Sequence, residues 1–155
     1  MSHLTFMMGE FEAEFPKDRL YASNHMWGQP IGDDNGQPTI RFGFTAYAVR
    51  LLQDVYFLDW DVDCPSVLRE KQQIGSIESK KAESDLFSPI SGQLIEINQE
   101  LLSDPSTINL DKYGAGWLFS IAGNPQPMMP PEEYIEHLAG VWEITQRTIK
   151  GQLNE

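Results

Sequence analysis

The 155-residue chain has a single cysteine, Cys64, which excludes an internal disulfide and suits a reducing compartment. No apolar run approaches the ~20 residues that a membrane-spanning helix needs. No basic start leads into an apolar stretch, so a secretory signal is not expected and a cytoplasmic location is. Cations are scarce as well, with 11 Lys and Arg against 23 Asp and Glu and a formal net charge of −12. A surface of that sign repels phosphate backbones, which argues against a nucleic-acid partner, and it favours encounter with basic protein surfaces. His3, His25 and His137 are too scattered to suggest a metal site, and His25 reads as a structural hydrogen-bonding residue. No glycine-rich phosphate loop follows a strand, and no Ser/His/Asp constellation suggests a hydrolase. Cys64 sits in Asp63-Cys64-Pro65 with no base or helix N-terminus nearby, so it reads as a partly buried small side chain.

What remains is ordinary globular composition, 41% hydrophobic and 11% aromatic, in a pattern of many short strands. Strands are predicted at 21–27, 39–44, Val55–Trp60, Gln73–Ser79, 82–87, 92–98 and 117–121. The segment 28–38 is dense in Gly, Pro, Asp and Asn and reads as a loop. Thr45 is a fair N-cap for a short helix over 45–52. Strands at such spacing, with little helix between them, predict a mainly β protein built as a sandwich or flattened barrel. Three regions are expected. Residues 1–19 form an N-terminal extension, either a short strand or loosely docked, and 20–127 form the β domain. Residues 128–155 form a helical segment, with Ile135, Leu138, Trp142, Thr145 and Ile149 making an apolar stripe that packs on the sheet or on a partner.

One polar stretch stands between apolar flanks: Ile77-Glu78-Ser79-Lys80-Lys81-Ala82-Glu83-Ser84-Asp85-Leu86. Two strands joined by a tight turn would carry Ser79, Lys80, Lys81 and Ala82 at the tip, clear of the core. That is where a lysine belongs if another enzyme must acylate it, because its amine must be reachable on a rigid support. The residues alone do not choose between Lys80 and Lys81, and two solvated turn lysines would look the same. A biotin carrier would show Met-Lys-Met at the tip, which this chain lacks.

Glu78-Ser79-Lys80-Lys81-Ala82, followed by Ser84-Asp85 and Ser88-Pro89-Ile90-Ser91-Gly92, resembles the lipoylation motif of the glycine cleavage H-protein family. The same family's opening segment is similar to Tyr21-Ala22-Ser23-Asn24-His25-Met26-Trp27. Phe42 to Ala48, Leu52 to Leu58 and Asn109 to Leu118 resemble further segments in the right order, so the resemblance spans about residues 20–139. It implies a β-sandwich of the lipoyl/biotinyl hammerhead type with peripheral helices and a C-terminal helix. It also implies a covalent lipoate on Lys81, with Glu78, Ser79, Ala82 and Asp85 as the surrounding motif and Asn24 and Met26 in a cleft for the arm. Glu83 is a further acid near the tip. The partners implied are a lipoate ligase or lipoyl transferase, glycine decarboxylase, aminomethyltransferase and dihydrolipoyl dehydrogenase. The chain would be a non-catalytic carrier shuttling an aminomethyl group among the last three.

The sequence also departs from that pattern. Met26 stands where the family has an acid, and a thioether cannot balance an ammonium as a carboxylate does. Gln53 replaces a glycine, Lys112 a proline, the 28–38 loop is longer, and the C-terminal stripe runs on. These differences bear on the cargo more than on the attachment. Two other readings stay open: a dedicated H-like lipoate-binding carrier of another pathway (sulfur oxidation or lipoyl relay), and an unmodified lipoyl-fold binding protein.

Overall fold

The structure is a computed structural model that describes residues 2–153. Two antiparallel sheets carry the predicted sandwich. The larger combines β3 (Leu20–Tyr21), β4 (Met26–Asp34), β5 (Gln37–Phe44), β7 (Ser66–Leu68), β10 (Gly92–Ile97) and β11 (Phe119–Gly123), in the order β3-β4-β5-β11-β10-β7. The smaller runs β6-β8-β9, from β6 (Val55–Trp60), β8 (Gln73–Ser79) and β9 (Glu83–Phe87). Alternation along the strands sends Ile40, Phe42, Leu94 and Ile121 from the first sheet to meet Leu58, Ile74, Ile77 and Leu86 from the second. Trp60 and Phe119 meet edge to face within this core, with ring centroids 5.6 Å apart.

Helix α1 (Ala46–Leu52) begins where the sequence suggested, with Thr45 as N-cap and its side-chain oxygen accepting from the Ala48 N–H. It ends at Gln53, whose φ of 59° lies in the positive range that glycine adopts freely and side-chain-bearing residues rarely do. Asn109 holds the strained residue from both sides. Its Nδ2 donates to the Gln53 carbonyl at 2.6 Å and its Oδ1 accepts from the Val55 N–H at 2.9 Å. Asn109 lies in α3 (Thr107–Leu110), which follows α2 (Glu100–Ser103); both are single turns too short for a periodic signal.

Several expectations are corrected. The segment 28–38 is a long hairpin, not a loop. Asp34 pairs with Gln37 across Asn35-Gly36, whose φ values of 51° and 85° make the tight turn favoured by Asn-Gly. The prolines are tolerated because Pro30 sits at a register shift and the outer half of the hairpin is largely exposed. The predicted strand at 21–27 is broken by a turn at 22–25, with the Ala22 N–H donating to the Met26 carbonyl and His25 at φ 70°. Cys64 is exposed, not partly buried.

The first residues form a hairpin of β1 (His3–Met8) and β2 (Phe11–Pro16), and the chain's other end is the long helix α4 (Pro131–Leu153). Together they build a second core. Met8, Ala13 and Phe15 of the hairpin pack with Tyr134 and Leu138 of α4 and with Ala46 and Tyr47 of α1. The stripe on α4 therefore closes on the protein itself through Ile135, Leu138 and Trp142, while the side chain of Ile149 lies outside the described residues. Among the described residues, no helix is long and apolar enough to cross a membrane.

Candidate functional site

Strands β8 and β9 form the hairpin that the sequence suggested, with Glu78 opposite Glu83 and Ser76 opposite Asp85. Its tip is closed by one side chain. The Ser79 N–H donates to the Ala82 carbonyl at 2.8 Å, and the Ser79 hydroxyl donates to the same oxygen and accepts from the Ala82 N–H, each at 3.2 Å. Ser79 is 4% exposed, so its hydroxyl acts as an internal brace for the turn. The tip is also tied to the body, since the Lys80 N–H donates to the Asp54 carbonyl at 2.8 Å. Lys80 and Lys81 are left exposed at the turn, and among the described residues neither ammonium enters an ion pair.

The two faces of the hairpin differ. Glu78, Glu83 and Asp85 share the outward face, where like charges directly opposite cost stability and create a local negative field. Ile77 and Leu86 point into the core. Ala82, directly after Lys81, is half-buried against that core and lines a cavity of about 340 Å³.

That cavity brings together residues distant in sequence. Its walls come from Phe44, from Ala48, Leu51 and Leu52 of α1, from Ile77 and Leu86 of the hairpin, and from Asn24, His25 and Met26 of the 22–25 turn and the start of β4. Asp85 and Ser84 sit on its hairpin side. The structure thus gathers Ala82, Asn24 and Met26 around one space, and Asp85 borders it from a β9 position that shares the outward face with Glu78 and Glu83. Met26 is 1% exposed and belongs to the main core. Asn24 is oriented by donation from Nδ2 to the Phe87 carbonyl at 3.1 Å, which leaves its buried Oδ1 without a partner among the described residues. An unmet acceptor of this kind costs about 1–3 kcal/mol unless a donor arrives. The α1 and Phe44 walls were not singled out from sequence, because a cavity is a non-local property that no short segment encodes.

His25 is held beneath this wall. Its Nδ1 lies 2.8 Å from the Tyr134 hydroxyl, which lies 3.2 Å from the Thr45 hydroxyl, and its ring packs near Tyr47 and His137. Burial first, and His137 second, push its pKa down from 6.5 to about 4. Between those values the unfolded chain binds a proton that the folded chain refuses. Stability therefore falls as pH drops from about 6.5 to about 4, by at most about 3 kcal/mol from this group. Thermal unfolding followed across that window should show the slope, and His25→Gln should flatten it relative to the parent. An equal slope in both proteins would discount His25.

Residues 19–139 match the family described as Glycine cleavage H-protein. The glycine cleavage system H protein of Rubrobacter xylanophilus is 37% identical over 127 residues, spanning 81% of this chain and 96% of that protein. The protein of the same name from Mycobacterium tuberculosis is 39% identical over 109 residues, spanning 70% of this chain and 78% of its own. The crystal structure of a glycine cleavage system H protein from Mycobacterium marinum superposes with a TM-score of 0.69 at 33% identity, covering 81% of this chain and 99% of that one.

Proposed function

Because this chain belongs to the glycine cleavage H-protein family, we propose that Lys81 is the residue that takes the lipoyl group and that the cavity beside Ala82 shelters the arm. The chain is a non-catalytic lipoyl carrier of the glycine cleavage system. The observation that carries the assignment to Lys81 is its position: exposed on a braced tip, directly before a residue that lines a largely apolar cavity.

Lipoate supplies a dithiolane that can take up and release a one-carbon amine and cycle between disulfide and dithiol. The protein's own residues supply placement. Ser79 and Ala82 hold the tip shape, and the Lys80 amide fixes it to Asp54. Phe44, Ala48, Leu52 and Met26 offer an apolar lining suited to an octanoyl chain and ring. Met26 provides no charge, so a cationic cargo is met in the cavity by the free Oδ1 of Asn24, while Asp85 adds negative field from the outward face of the hairpin. The partners in this reading are a lipoate ligase or lipoyl transferase, glycine decarboxylase, aminomethyltransferase and dihydrolipoyl dehydrogenase. The outward acids Glu78 and Glu83 steer them through basic patches of their own.

The test is glycine–bicarbonate exchange. The lipoylated protein should support exchange of labelled bicarbonate into glycine by glycine decarboxylase, and the unmodified protein should not. Fully lipoylated protein that supports none would overturn the glycine-cleavage assignment.

A further inference from the structure

The strongest feature outside the site is the second core. Residues 3–16 lie wholly outside the stretch that matches the family, and so does α4 beyond 139. The match to the solved relative from Mycobacterium marinum covers 99% of that chain but only 81% of this one. Yet these additions are not appended at a distance; they converge on the back of the cavity wall. Helix α1 is held between two cores. Ala48, Val49 and Leu52 face the main one, while Ala46, Tyr47 and Leu51 face the added one.

Three groups of contacts transmit the added packing to the cavity. Leu51 packs against the second core and also lines the cavity. Tyr47, one turn earlier, is held by α4 through its hydroxyl, 3.0 Å from that of Thr145, and through an edge-to-face contact with Trp142, ring centroids 6.1 Å apart. Both partners lie past residue 139. On the other side the hairpin closes on α1, with Phe11 under the Arg50 guanidinium at 4.4 Å. The Tyr113 hydroxyl meanwhile accepts from the Ala46 N–H at 2.9 Å and donates to the Glu14 carbonyl of β2. His25, another lining residue, packs at a tilt against the same aromatic group through Tyr47 and Tyr134.

We propose that the β1–β2 hairpin and the distal part of α4 form a clamp that fixes α1 and the 22–25 turn, and so sets the shape of the cavity in which the arm is sheltered. The proposal rests on the reading of the cavity as the arm's shelter. Packing explains why the clamp is needed. A seven-residue helix has little stability of its own and takes it from what it packs on. The main-core side of α1 also borders the cavity, which removes part of its packing there, so the contacts on the opposite side carry more of the helix. Tyr47, Trp142 and Thr145 are positioning residues in this arrangement.

Two variants test it: a deletion of residues 2–16, and Phe11→Ala, which keeps the chain intact should the deletion fail to fold. Amide hydrogen exchange is measured on each unmodified protein, and reduction of the dithiolane by a water-soluble phosphine on each lipoylated one. The clamp predicts exchange at least tenfold faster at residues 22–26 and 46–52, with β5 and β11 unchanged, and phosphine reduction at least threefold faster. A uniform rise in exchange over the whole chain would mean that the added core serves global stability alone, and would overturn the proposal. So would local loosening with an unchanged reduction rate, or no change at all. If no lipoyl mass appears on the parent protein, the carrier reading has failed separately, and the exchange pattern alone decides whether the clamp exists.

Discussion

Lys81→Arg is expected to abolish lipoylation, and Lys80→Arg to leave it intact. Incubation with a lipoate ligase, an activated lipoyl donor and each variant, followed by intact-mass measurement, gives one lipoyl increment for the parent and for Lys80→Arg, and none for Lys81→Arg. The reasoning starts from the nucleophile. Acylation needs an unprotonated amine, which lysine supplies during attack and which a guanidinium, cationic throughout the working pH range, does not. Charge and length are otherwise nearly kept, so the braced tip should survive either change. The two lysines are adjacent, but their surroundings are not equivalent. The Lys80 amide is tied back to Asp54, whereas Lys81 leads into Ala82 and the cavity. A mass gain that persists in Lys81→Arg and vanishes in Lys80→Arg would move the attachment by one residue and overturn the register drawn from the motif.

The largest structural effect is expected at Gly75, at the base of the same hairpin. Gly75 pairs with Trp60 across β6 and β8, and a Cβ there would press into the Asp59 carbonyl oxygen and lie 3.2 Å from Trp60 Cε3. The obstacle is backbone of a neighbouring strand, so it cannot swing aside. Gly75→Val should therefore cost about 3 kcal/mol or more, through lost pairing and overpacking. For a chain of this size that corresponds to a fall in Tm of roughly 6–12 °C. Gly140→Ala is the contrasting case. It lies in α4, where an added Cβ would meet nothing within 4 Å among the described residues, and should gain up to about 1 kcal/mol from helix propensity. Thermal unfolding checks both. Equal Tm values for parent and Gly75→Val would mean that β6 and β8 are less closely apposed than described.

These two sites also show how far the sequence could be read. The hairpin was legible because apolar flanks around a polar centre leave few other foldings, and because its motif is specific. The helix over 45–52 was legible from Thr45, whose side chain can satisfy a helix-end N–H without any tertiary help. The β4–β5 hairpin was obscured for a different reason. Asn35-Gly36 carried the turn signal, but Gly32, Pro30 and Pro38 around it suggested irregular chain. Their tolerance depends on a register shift and on solvent at the outer half of the hairpin, which only the fold reveals. The role of the first residues was hidden likewise. Phe11-Glu12-Ala13-Glu14-Phe15 alternates as a strand should, yet what its apolar face covers lies far along the chain, on α1 and α4. The unmet oxygen of Asn24 has no sequence signature either, because it depends on the Phe87 carbonyl claiming the other end of the amide.

The bond from the Lys80 amide to Asp54 has a consequence for how such a carrier meets its enzymes. With the tip pinned, the origin of the arm is a fixed point on a rigid body, and only the side chain and its attachment explore space. The local concentration of the dithiolane at a docked active site then depends on the arm's length alone, without dilution by a moving loop. A loose tip would spread the same group through a larger volume and lower its concentration at every partner. Pinning the backbone one residue before Lys81, the proposed attachment point, is the placement that keeps that volume small while leaving the arm free.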